Sequence, residues 1–166
     1  MHPLYLYGEP RLGSYDLPNA IGRVNDTAIA VSRLLYSGAL TRHPGMQMIV
    51  AHGGGGVPYA LGRLVRNHEL NPAAMADPRA GFRQLYFDTV VYDPAPLRYL
   101  VELAGADRVM LGSDYPFPIL DPAPLEVVRK AGLAPETTDA ILSGNACRVF
   151  NLPLSSIYTS SYSTRS

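Results

Sequence analysis

Three short apolar segments, separated by longer stretches with helical periodicity, constrain the fold of this chain more than any other feature. The segments are MQMIVA at 46–51, LYFDTVV at 85–91 and RVMLGS at 108–113. Their length and their β-branched and aromatic content are typical of buried strands. None alternates regularly between apolar and polar residues, which favours strands that are covered on both faces. The sequence therefore predicts a parallel sheet.

The stretches between these segments have the pattern of amphipathic helices. In 57–70, Leu61, Leu64 and Val65 fall on one helical stripe, and 95–105 repeats this pattern and ends at Gly105. Two further helices are predicted in PAPLEVVRKAG and PETTDAILSGNACRVF. Strands that alternate with helices form βαβ units, so the predicted fold class is α/β.

The two ends of the chain are less regular. MHPLYLYGEPRLGSYDLP is predicted to be a long loop, and a helix is predicted from about Asp26 to Leu40, capped by Asn25 or Asp26 and stopped around Gly45. The last residues are rich in serine and threonine, which predicts a disordered tail. We therefore expect one domain over 1–152 and a tail over 153–166.

Charge and cysteine content narrow the class of protein. Fourteen basic residues balance fourteen acidic ones, which gives no indication of binding to nucleic acid or to an anionic membrane. No apolar run approaches the roughly 20 residues of a spanning helix, and the first residues lack a signal-peptide pattern. The single cysteine, Cys147, lies in a helical pattern, where a small core residue is favoured over a nucleophile. Without a disulfide framework, a reducing compartment and a cytoplasmic location are expected.

Polar residues follow the predicted strands at the points where those strands end. His52 follows MIVA, Asp88 lies within LYFDT, and Asp114 follows VMLGS. The carboxyl ends of parallel strands face the functional site in α/β proteins. His2 stands 50 residues before His52, an interval that suits one βα unit with a long first loop. Imidazole nitrogen and carboxylate oxygen suit Zn²⁺, Mn²⁺ or Fe²⁺. The alternatives are a structural histidine at position 52 and a turn-capping aspartate at position 114.

The four glycines after His52 allow two interpretations. They could cradle a phosphate, or they could turn the backbone sharply beside a metal-assisted active site and leave room for a substrate. HGGGGVP lacks the lysine and the serine or threonine of a P-loop, and it lacks the spaced glycines of a dinucleotide fingerprint. The second interpretation is therefore favoured.

Three stretches together resemble a known family. AHGGGGVPYALGR, YFDTVVYDPAPLRYLVELAGADRVMLGSDYPFP and SGNACRVF resemble the amidohydrolase-related family of metal-dependent (β/α)₈ barrels. Within it they are most similar to the aminocarboxymuconate-semialdehyde decarboxylase branch, with its γ-resorcylate decarboxylase relatives. The resemblance runs from about His2 to Leu152. It implies a partial TIM barrel of about the last three strands and their helices.

The resemblance also implies roles for individual residues. His2 matches a metal ligand at the end of the fifth strand, and His52 matches the acid/base at the end of the sixth. Asp114 matches the aspartate at the end of the eighth strand, which binds the metal and orients water. Asp88 has no general ligand role in the family and is expected to be structural. Arg63 is the candidate contact for a substrate carboxylate, with a solvated helix arginine as the alternative.

The chain departs from the family pattern in one respect. The family's first strand supplies a His-x-His pair of metal ligands, whereas the histidines here stand alone at 2, 43, 52 and 68. An eight-stranded barrel takes about 250 residues, so the chain is expected to correspond to the carboxyl-terminal half. On its own it should bind zinc or manganese weakly. An unclosed sheet also exposes an edge, so we expect a homo-oligomer or association with a missing barrel half.

Three functional hypotheses follow. The first is a metal-dependent, non-oxidative carboxy-lyase in which His52 manages protons and CO₂ leaves a small unsaturated or aromatic carboxylic acid. The second is a hydrolase on the same scaffold, in which Asp114 accepts a proton from the attacking water. The third is an inactive fragment that folds only against a partner half. FDTVVYDPAPL and GSDYPFP favour the carboxy-lyase.

Overall fold

A computed structural model describes residues 1–3 and 10–153 of the chain. Part of the predicted amino-terminal loop, residues 4–9, lies outside the described residues. The predicted tail lies outside them as well, except for its first residue, Pro153.

The centre of the fold is a three-stranded parallel sheet. Its strands are β1 (Met48–Val50), β2 (Leu85–Asp88) and β3 (Val109–Met110), in the spatial order β1-β2-β3. The sheet order follows the chain order, as expected for successive βα units. The predicted parallel sheet and α/β class are confirmed.

The backbone of Met1 extends the sheet beyond β1. The Met1 amino group donates a hydrogen bond to the Ile49 carbonyl, and the Ala51 N–H donates to the Met1 carbonyl at 2.9 Å. In a parallel ladder, one residue bonds to the two residues that flank its partner on the neighbouring strand. Met1 bonds in this way to Ile49 and Ala51, which flank Val50. Because Met1 pairs beside the end of β1, the next residue, His2, is brought to the same edge as His52.

The helices between the strands begin and end close to their predicted positions. Helix α3 spans Val57–Leu70, and α5 spans Pro94–Ala104. A proline stands in the first turn of each, where its missing N–H costs no hydrogen bond. The shorter helices in this part of the chain are α4 (Pro78–Phe82), α6 (Pro124–Lys130), α7 (Pro135–Asp139) and α8 (Asn145–Phe150).

The amino-terminal helix differs from the prediction at both ends. Helix α1 spans Arg23–Ser37 and continues a π-helical turn, Pro18–Gly22, so the expected caps Asn25 and Asp26 lie inside it. It ends at Gly38, not at Gly45, because Gly38 adopts a left-handed φ of 68° and its N–H bonds to the Leu35 carbonyl. A short helix, α2 (Ala39–Arg42), follows. The predicted end of the helix was wrong because it overlooked this glycine signal.

The core lies between the sheet and the helices packed on it. Its members are large aliphatic and aromatic side chains from the strands, from the inner faces of the helices packed on them and from the π-helical turn Ala140–Gly144, with almost no exposure to solvent. The largest are Leu35, Leu40, Leu85, Phe87, Leu97, Leu100 and Ile141. Cys147 is also buried and unpaired, as expected for a small core residue. Among helices in the described part of the chain, none is both long and apolar enough to cross a membrane.

Candidate metal and catalytic site

Three side chains that are distant in sequence meet at the carboxyl edge of the sheet. His2, His52 and Asp114 each offer a potential ligand atom, and these atoms all lie within 4.8 Å of one another. The Nε2 atoms of His2 and His52 lie 3.4 Å and 3.6 Å from Asp114 Oδ1. The carboxylate and His52 are almost buried, at 7% and 9% side-chain exposure, while His2 is 33% exposed. The sequence-based expectation that these three residues cluster is met.

Two of these residues have a backbone conformation that is unusual for a side-chain-bearing residue. His52 has a φ of 58° and Asp114 a φ of 61°, both in the left-handed region. That region costs a non-glycine residue roughly 1–2 kcal/mol, and it persists where the surroundings over-determine it. His52 lies two residues after β1 and Asp114 four residues after β3, so both stand beyond the carboxyl edge of the sheet. Backbone strain therefore accompanies the site.

The glycines after His52 are required by packing. We call residues 52–55 the glycine loop; Gly53, Gly54 and Gly55 in it have φ values of 57°, 85° and 62°. A Cβ atom at these three positions would lie 2.5 Å from Val91 Cγ1, 2.8 Å from the Phe87 ring and 2.6 Å from the Val24 carbonyl oxygen, respectively. No larger residue fits, so the loop packs directly against β2 and against the first turn of α1.

The backbone of the glycine loop has no N–H group to offer a phosphate. The N–H groups of His52 and Gly53 donate to the Asp88 carboxylate at 3.0 and 2.8 Å. Those of Gly54 and Gly55 donate to the Ala51 and His52 carbonyls. A phosphate cradle needs several free N–H groups that point at the ligand. The geometry therefore supports the tight-turn interpretation of the glycines.

Asp88 anchors the glycine loop from the end of β2. Besides His52 and Gly53, the Val90 N–H donates to its carboxylate at 3.1 Å. Burial raises the pKa of Asp88, and the three backbone hydrogen bonds act in the opposite direction. Its carboxylate accepts hydrogen bonds from these three backbone N–H groups, which agrees with the structural role expected from the sequence.

The loop that carries Asp114, residues 113–121, is held at its base. We call it the aspartate loop. The Asp121 N–H donates to the Ser113 carbonyl at 2.8 Å, and Gly112 exchanges hydrogen bonds with the Thr89 hydroxyl just before the loop. Gly112 is required because a Cβ there would lie 2.9 Å from Asp88 Cβ. The two loops are thus linked through β2.

The donor set fits a divalent metal. Nδ1 of His2 lies 2.9 Å from the Pro3 carbonyl and donates to it when protonated, which leaves the Nε2 lone pair toward Asp114. The His2 ring also stacks on Phe117, with centroids 5.0 Å apart. Ligand atoms about 2.1 Å from a tetrahedral ion stand roughly 3.4 Å apart, close to the separations in this cluster. Imidazole nitrogen and carboxylate oxygen, the ligand atoms that His2 and Asp114 offer, suit zinc or manganese.

A cavity of about 240 Å³ opens beside this cluster. His52 and Asp114 line it together with Asn19, Arg23 and Tyr92. The Tyr92 hydroxyl donates to the Ile119 carbonyl at 2.9 Å. Burial, with the nearby carboxylates of Asp114, Asp121 and Asp88, raises the pKa of Tyr92, so it remains a neutral donor at pH 7. The cavity thus adjoins His52 and Asp114, two side chains that can exchange protons with a bound molecule.

The structure does not bring Arg63 to this cavity. Arg63 is exposed on α3, on the side away from the buried residues Leu61 and Val65. Its proposed contact with a substrate stays a prediction. The arginine that does line the cavity, Arg23, was missed, because its position depends on how α1 packs against the glycine loop, and no local motif signals this.

Comparisons with known proteins agree with this geometry. A family model described as amidohydrolase matches residues 3–152. The chain is 32% identical over 158 residues to a 2-amino-3-carboxymuconate-6-semialdehyde decarboxylase of Dictyostelium discoideum, covering 92% of this chain and 44% of that protein. The chain therefore spans less than half the length of this relative.

Solved structures have the same fold over about half their length. The 5-carboxyvanillate decarboxylase of Sphingomonas paucimobilis superposes with a TM-score of 0.79 at 27% identity, covering 92% of this chain and 49% of that one. A dihydroxybenzoic acid decarboxylase from a Polaromonas species, solved with bound manganese, superposes with a TM-score of 0.80 at 22% identity, covering 95% and 51%. The architecture is therefore that of a partial TIM barrel.

Proposed function

Because the chain belongs to the amidohydrolase family, we propose that it serves in metal-dependent, non-oxidative decarboxylation of a small unsaturated or aromatic carboxylic acid. The observation that carries this proposal is the meeting of His2, His52 and Asp114 beside one cavity. The names of the similar proteins, all decarboxylases of such acids, favour this reaction over others on the scaffold.

His52 is the proposed proton carrier. When CO₂ leaves, the electron pair of the broken C–C bond stays on the substrate carbon, which then needs a proton. The His52 imidazole lines the cavity, where it can deliver this proton, and its Nε2 lies 3.6 Å from Asp114 Oδ1. Nδ1 of His52 is buried and has no hydrogen-bond partner among the described residues, so no protein acceptor fixes the tautomer.

His2 and Asp114 are the proposed metal ligands, with zinc or manganese as the ion. When bound, the metal would polarise substrate oxygen and offset the negative charge that develops as CO₂ departs. The stacking of His2 on Phe117 and its hydrogen bond to Pro3 hold the imidazole in the orientation that a ligand needs.

The alternative function is hydrolysis. On this account Asp114 accepts a proton from a water molecule that attacks a substrate carbonyl, and His52 protonates the leaving group. The description of the matching family, amidohydrolase, is the observation in its favour. The two reactions differ in their products, because only decarboxylation releases CO₂.

We also propose that activity requires association, either with a second copy or with a polypeptide that carries the first barrel strands. Support comes from the length comparison and from three exposed aromatic rings, Tyr59 at 90%, Tyr115 at 80% and Tyr99 at 44%. The cytoplasm remains the proposed location, on the grounds of the single unpaired cysteine.

The test measures CO₂ release in the presence of Mn²⁺. The chain is co-expressed with the segment of the Dictyostelium relative that the match leaves uncovered, assembly is checked by size, and the acids named in the relatives' names are supplied. We expect CO₂ release that chelation abolishes. His52→Ala should lower kcat by about 10²–10⁴, and exposed His43→Ala should not. An assembled, metal-loaded complex that cleaves esters and releases no CO₂ would support hydrolysis instead.

A further inference from the structure

An arginine that none of the proposed catalytic steps uses faces the candidate site. Arg23, the first residue of α1, lines the same cavity as His52 and Asp114, and so does Asn19 in the preceding turn. Arg23 is half-buried. Its guanidinium makes no hydrogen bond or ion pair within residues 1–3 and 10–153.

The glycine loop fixes the backbone that carries this arginine. A Cβ at Gly55 would lie 2.6 Å from the Val24 carbonyl oxygen and 3.4 Å from Thr27 Cβ, so the first turn of α1 rests directly on the loop. Thr27 is buried, and its hydroxyl donates to the Arg23 carbonyl at 3.0 Å. The backbone of Arg23 therefore belongs to a closely packed part of the fold.

The chemistry of this side chain selects an anion. A guanidinium stays protonated at every physiological pH, and its planar donors match the two oxygens of a carboxylate. Arg23 is half-buried and its guanidinium has no partner among residues 1–3 and 10–153, so within this part of the chain nothing compensates for the hydration that it loses. An anionic ligand in the cavity would supply that counter-charge. Asn19, whose side-chain amide is a hydrogen-bond donor, lines the same cavity.

Building on the proposed function, we infer that Arg23 and Asn19 bind a carboxylate that the reaction does not remove, so the substrate is a small dicarboxylic acid. The carboxylate that leaves as CO₂ loses its charge in the transition state. An ion pair to it would be strongest before reaction and would slow the step. A carboxylate that keeps its charge gives the same binding energy before and during reaction, and it orients the reacting carbon toward His52.

The test compares two ligands that differ in one charge. Isophthalate carries two carboxylates, and its monoamide has a neutral carboxamide in place of one of them. Calorimetric titration of the full chain with Mn²⁺ present gives both affinities. We expect isophthalate to bind about 10-fold or more tightly than the monoamide, because a charge-assisted pair replaces a neutral contact. Arg23→Met should abolish this preference, and Arg23→Lys should keep part of it.

The matched control is Arg33→Met, which removes an exposed arginine from the same helix. It should keep the full preference for isophthalate. The inference is overturned if the wild-type chain binds both ligands equally, if it binds neither, or if the preference survives in Arg23→Met.

Binding of benzoate tests whether Arg23 binds the carboxylate that leaves as CO₂. If Arg23→Met weakens benzoate, which has one carboxylate, as much as isophthalate, then Arg23 holds the carboxylate that leaves, and the dicarboxylate assignment is wrong. A preference for isophthalate together with a failure of CO₂ release would contradict the proposed decarboxylation and leave the recognition by Arg23 standing.

Discussion

The glycine loop after β1 and the aspartate loop after β3 perform the same task with different support. Each holds a residue of the candidate site, His52 or Asp114, in the left-handed region beyond the carboxyl edge of the sheet. The glycine loop is inside the fold, with Gly53 and Gly54 buried. The aspartate loop reaches solvent, with Tyr115 at 80% exposure.

The difference shows two ways to hold a strained residue. In the glycine loop, close packing leaves no room for a Cβ, and one buried carboxylate binds two of its N–H groups. In the aspartate loop, hydrogen bonds at the base of the loop hold the strained residue in place. Changes in the glycine loop should therefore cost folding free energy, whereas changes in the aspartate loop should alter the site with little loss of stability.

The largest effect is expected for Gly54→Ala. The added Cβ would lie 2.8 Å from the Phe87 ring at a φ of 85°, so both overpacking and backbone strain oppose it. We expect a loss of about 3–4 kcal/mol in the free energy of unfolding, measured by urea denaturation. Gly62→Ala, in the interior of α3 with open space around it, should instead stabilise by about 0.5–1 kcal/mol. Equal effects of the two changes would contradict the packing argument.

A smaller effect is expected for Asp88→Ala. It leaves the N–H groups of His52, Gly53 and Val90 without their acceptor, at a cost of about 2–3 kcal/mol. The matched change at the other loop, Asp121→Ala, removes the acceptor of only the Ala123 N–H and should cost about 1 kcal/mol. If Asp121→Ala proves the more damaging in the same denaturation experiment, the two loops depend on their carboxylates in the reverse order.

Tyr92→Phe tests the contact between the segment that follows β2 and the aspartate loop. It removes the hydroxyl that donates to the Ile119 carbonyl, and a loss of about 1 kcal/mol is expected. Tyr115→Phe, at the exposed tip of the aspartate loop, should leave stability within about 0.5 kcal/mol of the wild type. Thermal unfolding of both variants measures this, and a Tyr92→Phe variant as stable as the wild type would show that the contact does not hold the loop.

The smallest effect on stability is expected for Asp114→Asn. Asparagine tolerates the left-handed region and has nearly the same size and shape as the almost buried aspartate side chain, so the free energy of unfolding should change by less than about 0.5 kcal/mol. The affinity for Mn²⁺ should fall at least about 10-fold, because a charged ligand is lost. Equilibrium dialysis gives the affinity. Unchanged Mn²⁺ binding would remove Asp114 from the ligand set.

Local periodicity and the strand-end rule were enough to predict the sheet, α3, α5 and the meeting of His52 with Asp114. Each of these depends on residues close in sequence or on the general geometry of parallel strands. Arg23 and Tyr92 could not be predicted as cavity residues, because their positions follow from packing between distant segments. The start of α1 was missed for a related reason, since a π-helical turn continues into it without a side-chain cap.

Anomalous diffraction at the manganese edge, from crystals of the chain grown with Mn²⁺, tests the central claim most directly. We expect one strong manganese peak about 2.2 Å from both His2 Nε2 and Asp114 Oδ1, at the mouth of the cavity that His52 lines. Crystals that preserve the arrangement of these three side chains but show their manganese peak elsewhere, or show none, would contradict it.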